Sequence, residues 1–144
     1  MEKEFVPYAE SLELKELGFD EHCFGFFNYK GSIRRYTNFD GELNDFQTLK
    51  NSSITMGNEW CAAPTFSQSF RWFREKYELM GHVEKGYRPT NYYPIIHLIL
   101  QKESHKYNPS LWFNTYEEAE LACLRKLIEI VKTKIQFLPE KQKP

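Results

Sequence analysis

Thr65-Phe66-Ser67-Gln68-Ser69-Phe70-Arg71-Trp72-Phe73-Arg74-Glu75-Lys76-Tyr77-Glu78-Leu79-Met80-Gly81 is the stretch on which the fold turns. Thr65 and Gln68 stand at capping-box spacing, where each side chain satisfies a free backbone donor at a helix start. Phe66, Phe70, Phe73, Tyr77 and Met80 recur at i, i+4, i+7, i+11 and i+14, which is one continuous helix face. Gly81 is expected to stop the helix. The aromatic ridge should turn toward a sheet and leave the guanidinium groups of Arg71 and Arg74 in solvent.

Downstream, His82 to Lys85 and Tyr92 to Leu100 read as strands joined by a loop at Gly86 to Asn91. The second strand is rich in β-branched and large apolar residues, so it is expected to be buried. A loop around Asn108-Pro109-Ser110 follows. Thr115-Tyr116-Glu117-Glu118 is a second capping box, with acids at the positive end of the helix dipole. The apolar face of this helix (Ala119, Ala122, Cys123, Leu124, Leu127, Ile128, Ile130, Val131, Ile135) carries it to about Ile135.

Upstream, Pro7 to Leu17 reads as a short helix. Gly18 supplies a left-handed cap, and Phe19 folds back on Leu14. Cys23 to Tyr29 is a strand, Lys30-Gly31 a turn, and Ser32 to Asn38 the returning strand with Ile33 inward and Arg34 outward. Asp40-Gly41 and Asn51-Ser52-Ser53 are turn signals. Weaker strand-like pieces occur around Leu43 to Leu49 and Glu59 to Ala62. The fold class is therefore α+β in the order α-β-β-(β)-α-β-β-α, a mostly antiparallel sheet with helices packed on one face. Residues 1–138 read as a single domain and 139–144 as a flexible tail.

The bulk numbers narrow the function. A chain of 144 residues with 41% hydrophobic content is long enough to bury a core. Twelve Phe and nine Tyr supply most of an aromatic fraction of 17%, which fills a core or shapes interfaces. A net charge of −1 disfavours duplex nucleic acid, whose binding is driven by basic excess. The three cysteines, Cys23, Cys61 and Cys123, are odd in number and widely spaced. They read as small core residues in a reducing compartment. No apolar run resembles a signal peptide or a membrane span, so a cytoplasmic setting is expected.

Three segments carry a resemblance: Pro7 to Phe24; Ala63-Pro64-Thr65 with Phe70-Arg71-Trp72-Phe73-Arg74-Glu75-Lys76-Tyr77; and Thr115 to Leu124. Together they resemble a family of small proteins of Bacteroides-type gut bacteria, their prophages and other mobile elements. The resemblance does not extend over Phe39 to Trp60 or Gly86 to Tyr93. The family carries no established activity, so the resemblance assigns no catalytic residue. It implies a bacterial or phage-encoded cytoplasmic protein.

No nucleophile elbow, phosphate loop, dinucleotide fingerprint or zinc-protease motif occurs. His22, His82, His97 and His105 are scattered, and no metal site or cofactor is read from them; His97 is expected to be a hydrogen-bonded core residue. The ligand-binding candidates are Arg71, Trp72, Arg74, Arg88, Tyr92 and Tyr93. Arg71 and Arg74 are helix neighbours able to clamp an anion beside the stacking plane of Trp72. The plainer alternative pairs Arg71 with Glu75 and Arg74 with Glu78. Arg88, Tyr92 and Tyr93 flank a loop of hot-spot composition, which is equally an ordered hairpin tip. The reading is a non-enzymatic binding or interaction protein, a phage or mobile-element accessory or anti-defence factor. Its partner would be a nucleotide-like anion or a host protein. The alternatives are a small enzyme acting on nucleotides or nucleic acid, with His82 or His97 as base, and a structural subunit of an assembly.

Overall fold

A computed structural model describes residues 2–35, 48–98, 111–136 and 144. The elements are α1 (Tyr8–Glu16), β1 (Gly25–Phe27), β2 (Ile33–Arg35), β3 (Cys61–Ala62), α2 (Phe66–Tyr77), β4 (Leu79–Lys85), β5 (Tyr92–Leu98) and α3 (Tyr116–Gln136). Single 3-10 turns occur at Glu2–Glu4 and Asn51–Ser53. The fold is α+β, with helices and antiparallel strands in the expected order. The strands form two sheets, β2-β1-β3 and β4-β5. The chain gathers into two compact units, Met1–Thr65 and Phe66–Lys143. No helix among the described residues is long and apolar enough to cross a membrane. The expected strand beyond Arg35, the Asp40-Gly41 turn, most of the Leu43 to Leu49 piece, Ile99 and Leu100 lie outside the described residues. So do His105, the Asn108-Pro109-Ser110 loop and residues 139–143 of the tail.

The first unit begins with α1. Its end is a Schellman cap: Gly18 has φ 88°, its N–H bonds Lys15 O at 3.0 Å, and Phe19 N–H bonds Leu14 O at 2.9 Å. Leu14 and Phe19, the apolar pair of that motif, are both buried. β1 pairs with β2 through Phe27↔Ile33 and with β3 through Phe27↔Cys61. Residues opposite each other share a face, so Phe27, Ile33 and Cys61 meet there with Ala63, Phe5, Tyr8 and Leu12. The turn between β1 and β2 is longer than Lys30-Gly31 alone. Asn28 organises it by accepting the backbone N–H groups of Lys30 and Ser32, both at 3.0 Å. Gly31, at φ 69°, lies under the Tyr8 ring, where a Cβ would stand 3.0 Å from Tyr8 Cδ1.

Strands of two and three residues cannot hold a sheet by ladder bonds alone. Side chains complete the framework. Asn51 is buried; its amide nitrogen donates to Phe19 O at 2.7 Å and its oxygen accepts Ala62 N–H at 2.8 Å. Asp20 accepts from the Ser52 N–H and hydroxyl, both at 2.7 Å. Partial burial opposes ionisation of Asp20, yet the Ser52 bonds prevail and hold its carboxyl below the usual range.

The second unit is a hairpin packed against long helices. β4 and β5 pair over seven positions, from Leu79↔Leu98 to Lys85↔Tyr92. The expected loop at Gly86 to Asn91 is present and closed by Gly86 N–H to Asn91 O at 2.8 Å. The helix stop differs from expectation. α2 ends at Tyr77, Glu78 takes a left-handed φ of 56°, and the strand begins at Leu79. Met80 is therefore an exposed strand residue outside the helix ridge. Gly81 is a strand residue chosen by packing: a Cβ there would lie 2.8 Å from Leu127 Cδ1 and 3.0 Å from Cys123 Sγ.

α3 starts at the expected capping box. Thr115 N–H bonds Glu118 Oε2 and Glu118 N–H bonds Thr115 Oγ1, each at 3.2 Å. Ala119, Cys123, Leu127 and Val131 repeat every four residues and are all buried. The Cys123 thiol donates to His82 O and Ile95 O, one carbonyl from each strand.

Candidate functional site

Strand alternation divides the first unit into a core face and an outer face. Gly25 and Phe27 are buried, while Phe24 and Tyr29 are 59% and 55% exposed. Phe26 lies on the outer face, half-buried, directly opposite the exposed Arg34 of β2. Trp60 immediately precedes β3 and stacks on Phe26 with ring centroids 5.9 Å apart and planes 28° apart. Tyr29 tilts against the same indole at 6.2 Å. Lys30 places its ammonium 5.5 Å from the centre of the Tyr29 ring.

The backbone presenting Trp60 is fixed from below. The Tyr8 hydroxyl donates to Glu59 O at 2.7 Å. The Lys15 ammonium donates to Trp60 O at 2.7 Å and Asn58 O at 3.2 Å. Three consecutive carbonyls are thus held by α1. The result is a preorganised row of rings, Phe24, Phe26, Trp60 and Tyr29, with Arg34 and Lys30 at its margin. Sequence reading placed aromatics on both faces of β1 but assigned them no role. Trp60 stood in its least regular region, and only the sheet register joins it to Phe26.

The candidates read from sequence fall elsewhere. Arg71 and Arg74 are exposed on α2, as expected. Trp72 does not offer a stacking plane. It is 6% exposed, edge-on against Phe73 at 5.0 Å and Tyr77 at 5.2 Å, with the Lys76 ammonium over its ring. The buried side of α2 is Phe66, Ser69, Trp72 and Phe73, while Phe70 is half-buried. The inward face is thus turned from the expected ridge, because Trp72 offers more apolar area than Phe70.

Arg88 is exposed in the hairpin tip. Tyr92 and Tyr93, as consecutive strand residues, point to opposite faces. Tyr92 bridges Phe113 and packs edge-on against Tyr116 at 6.2 Å. Tyr93 lies by Gly86, where a Cβ would come within 2.6 Å of its ring. The two tyrosines do not line one site.

His97 is half-exposed, because register puts it opposite the exposed Met80 and away from Gly81. It stacks on His82 with centroids 5.3 Å apart and planes 7° apart, and His82 Nε2 is 3.3 Å from Glu84 Oε1. Among the described residues, no three His, Cys, Asp or Glu side chains converge to hold a metal ion.

The thiols are poor nucleophiles. Burial pushes Cys23, Cys61 and Cys123 each up to about 12, so they are protonated at neutral pH.

A concave surface occurs in the second unit, between β5 and α3. It encloses about 460 Å³, with Pro94, Ile96, Leu111 and Phe113 as apolar walls. The six candidate residues read from sequence are not among those that line it.

Charge is divided unevenly. Residues 1–65 carry six Lys and Arg against eleven Asp and Glu, and residues 66–144 carry thirteen against nine.

Compared with protein-family models, curated proteins and solved structures, the chain matches none.

Proposed function

We propose that the chain is a non-enzymatic interaction protein that docks a protein partner through the aromatic face of β1 and Trp60. The observation that carries this reading is the exposure of Phe24 and Tyr29 beside the Phe26–Trp60 stack, on backbone pinned by Lys15 and Tyr8. Aromatic rings on a rigid support bind at low entropic cost, and Tyr, Trp and Arg dominate interface hot spots.

Charge selects between partners. A nucleic acid would also stack on such rings. Its phosphates, however, would approach a unit with eleven acidic and six basic residues, and binding would lack the counterion-release term. A protein surface with an apolar centre and an acidic residue facing Arg34 and Lys30 meets no such penalty. Buried, protonated thiols also fit a role without nucleophilic chemistry.

The test uses the purified full chain as bait in bacterial lysate, beside a Phe24→Ser/Tyr29→Ser variant. Both positions are exposed, so the fold should persist. A partner retained only by the wild type is then purified and titrated calorimetrically. The double variant should weaken binding at least about tenfold, the scale of one hot-spot residue or more. Equal affinity for both forms would sink the proposal, as would the absence of any partner that distinguishes them.

A further inference from the structure

The trough of the second unit is built by two elements facing each other. On one side β5 turns Pro94 and Ile96 toward α3, the same face on which Gly81 meets Leu127. Beside the start of β5, Tyr92 and Phe113 exchange both backbone hydrogen bonds, at 3.0 and 2.9 Å. That bridge sets Leu111 and Phe113, residues two apart, into the same wall. On the other side α3 contributes Ala122, Arg125, Lys126 and Glu129. These stand at i, i+3, i+4 and i+7, which is one helix face. Ala122 is the short side chain among them and leaves the floor open.

Lys126 is only 19% exposed, so its methylene stem packs while its ammonium reaches Glu129 at 2.6 Å. The lining thus holds two cations against one carboxylate. The whole unit has the same sign, with thirteen basic and nine acidic residues.

We propose that this trough binds a medium-chain aliphatic carboxylate, with the tail along Pro94, Ile96, Phe113 and Ala122 and the carboxylate at Arg125 and Lys126. The volume of about 460 Å³ lies within the range of roughly 300–1,000 Å³ typical of small-molecule sites. Apolar walls select the tail. The surplus positive charge selects one negative group, and the guanidinium fork matches a carboxylate. The site is in the other unit from the aromatic face, so its failure would leave the docking proposal untouched.

The test is calorimetric titration of the full chain with decanoate, octanoate and decanol, each below its aggregation concentration. Decanoate should bind saturably at one per chain. Octanoate should bind about tenfold more weakly, since each methylene buried is worth about fourfold. Decanol should lose about fivefold for want of the ion contact. Arg125→Gln should reproduce that loss for decanoate and leave decanol binding unchanged. Ala122→Phe should fill the floor and abolish binding of both, with the circular dichroism of the native chain. If Ala122→Phe fails to fold, Arg125→Gln and the chain-length series still decide the matter. No saturable decanoate binding at millimolar concentration, equal affinity for decanol, or no dependence on chain length would each overturn the proposal.

Discussion

The two units are stabilised by different chemistry. In the second, a seven-pair hairpin lies against a 21-residue helix, and the contact is apolar: Gly81 against Leu127 and Cys123, with Leu79, Ile96, Leu124 and Val131 buried around them. In the first, strands of two and three residues are tied by side chains bonded to distant backbone. Asn51 joins Phe19 to Ala62, Asn28 builds the β1–β2 turn, and Lys15 and Tyr8 hold the segment before β3. A long amphipathic helix on a hairpin can stabilise itself by burial alone. A small sheet with one open face cannot, and it recruits polar side chains as fasteners. The same fasteners hold the aromatic row in place, so stability and presentation are coupled in that unit.

The largest expected effect tests the apolar side of this contrast. Leu127→Ala would leave a cavity beneath Gly81 and should cost about 3 kcal/mol, within the usual range for a buried leucine. Urea denaturation measures it, and amide exchange should quicken along β4 and β5. A loss below about 1 kcal/mol would show that the helix–hairpin contact is not what holds this unit.

Next comes the polar side. Asn51→Ala leaves Phe19 O and Ala62 N–H without their partner and should cost about 2 kcal/mol. The aromatic face should loosen too, seen as increased exchange at Ala62 and Ala63. If Asn51→Ala were as stable as the native chain, the distinction between fastened and packed units would fail.

The smallest effect, per pH unit, comes from the thiols, two in the first unit and one in the second. Their folded-state values, about 12, exceed the ordinary 9.0. Each keeps its proton in the folded chain where the unfolded chain has lost it. Their stabilising contribution is therefore full below pH 9 and is lost as pH rises from 9 toward 12. The slope is at most about 1.4 kcal/mol per pH unit for each thiol. Urea midpoints at pH 8 and pH 10 should differ, and Cys61→Ala or Cys123→Ala should each flatten the fall. Midpoints that do not move across that window would contradict protonated, buried thiols.

Particular residues show how far sequence carries such a reading. The Schellman cap at Gly18 and Phe19 and the capping box at Thr115 and Glu118 are local motifs, and both stand where the residue spacing placed them. The loop from Gly86 to Asn91 was equally legible. Trp72 and Gly81 were not. Helical spacing made Phe70 and Met80 part of the ridge, but the core took Trp72, and the helix ended before Met80. His97 was read as a core histidine because its strand is apolar, yet register turned it outward onto His82. The aromatic row was invisible because Phe26 and Trp60 are 34 positions apart in the chain.

Periodicity and capping residues, which depend on neighbours within one or two turns, determined by themselves the element order, the α+β class and the inward face of the last helix. Strand register and helix packing decided the rest: which face of β1 stays wet, why position 81 must be glycine, and which side chains enclose the trough. The physical reason is range. Local backbone preferences are written in adjacent residues, whereas a face or a cavity exists only once distant segments compete for the same buried volume.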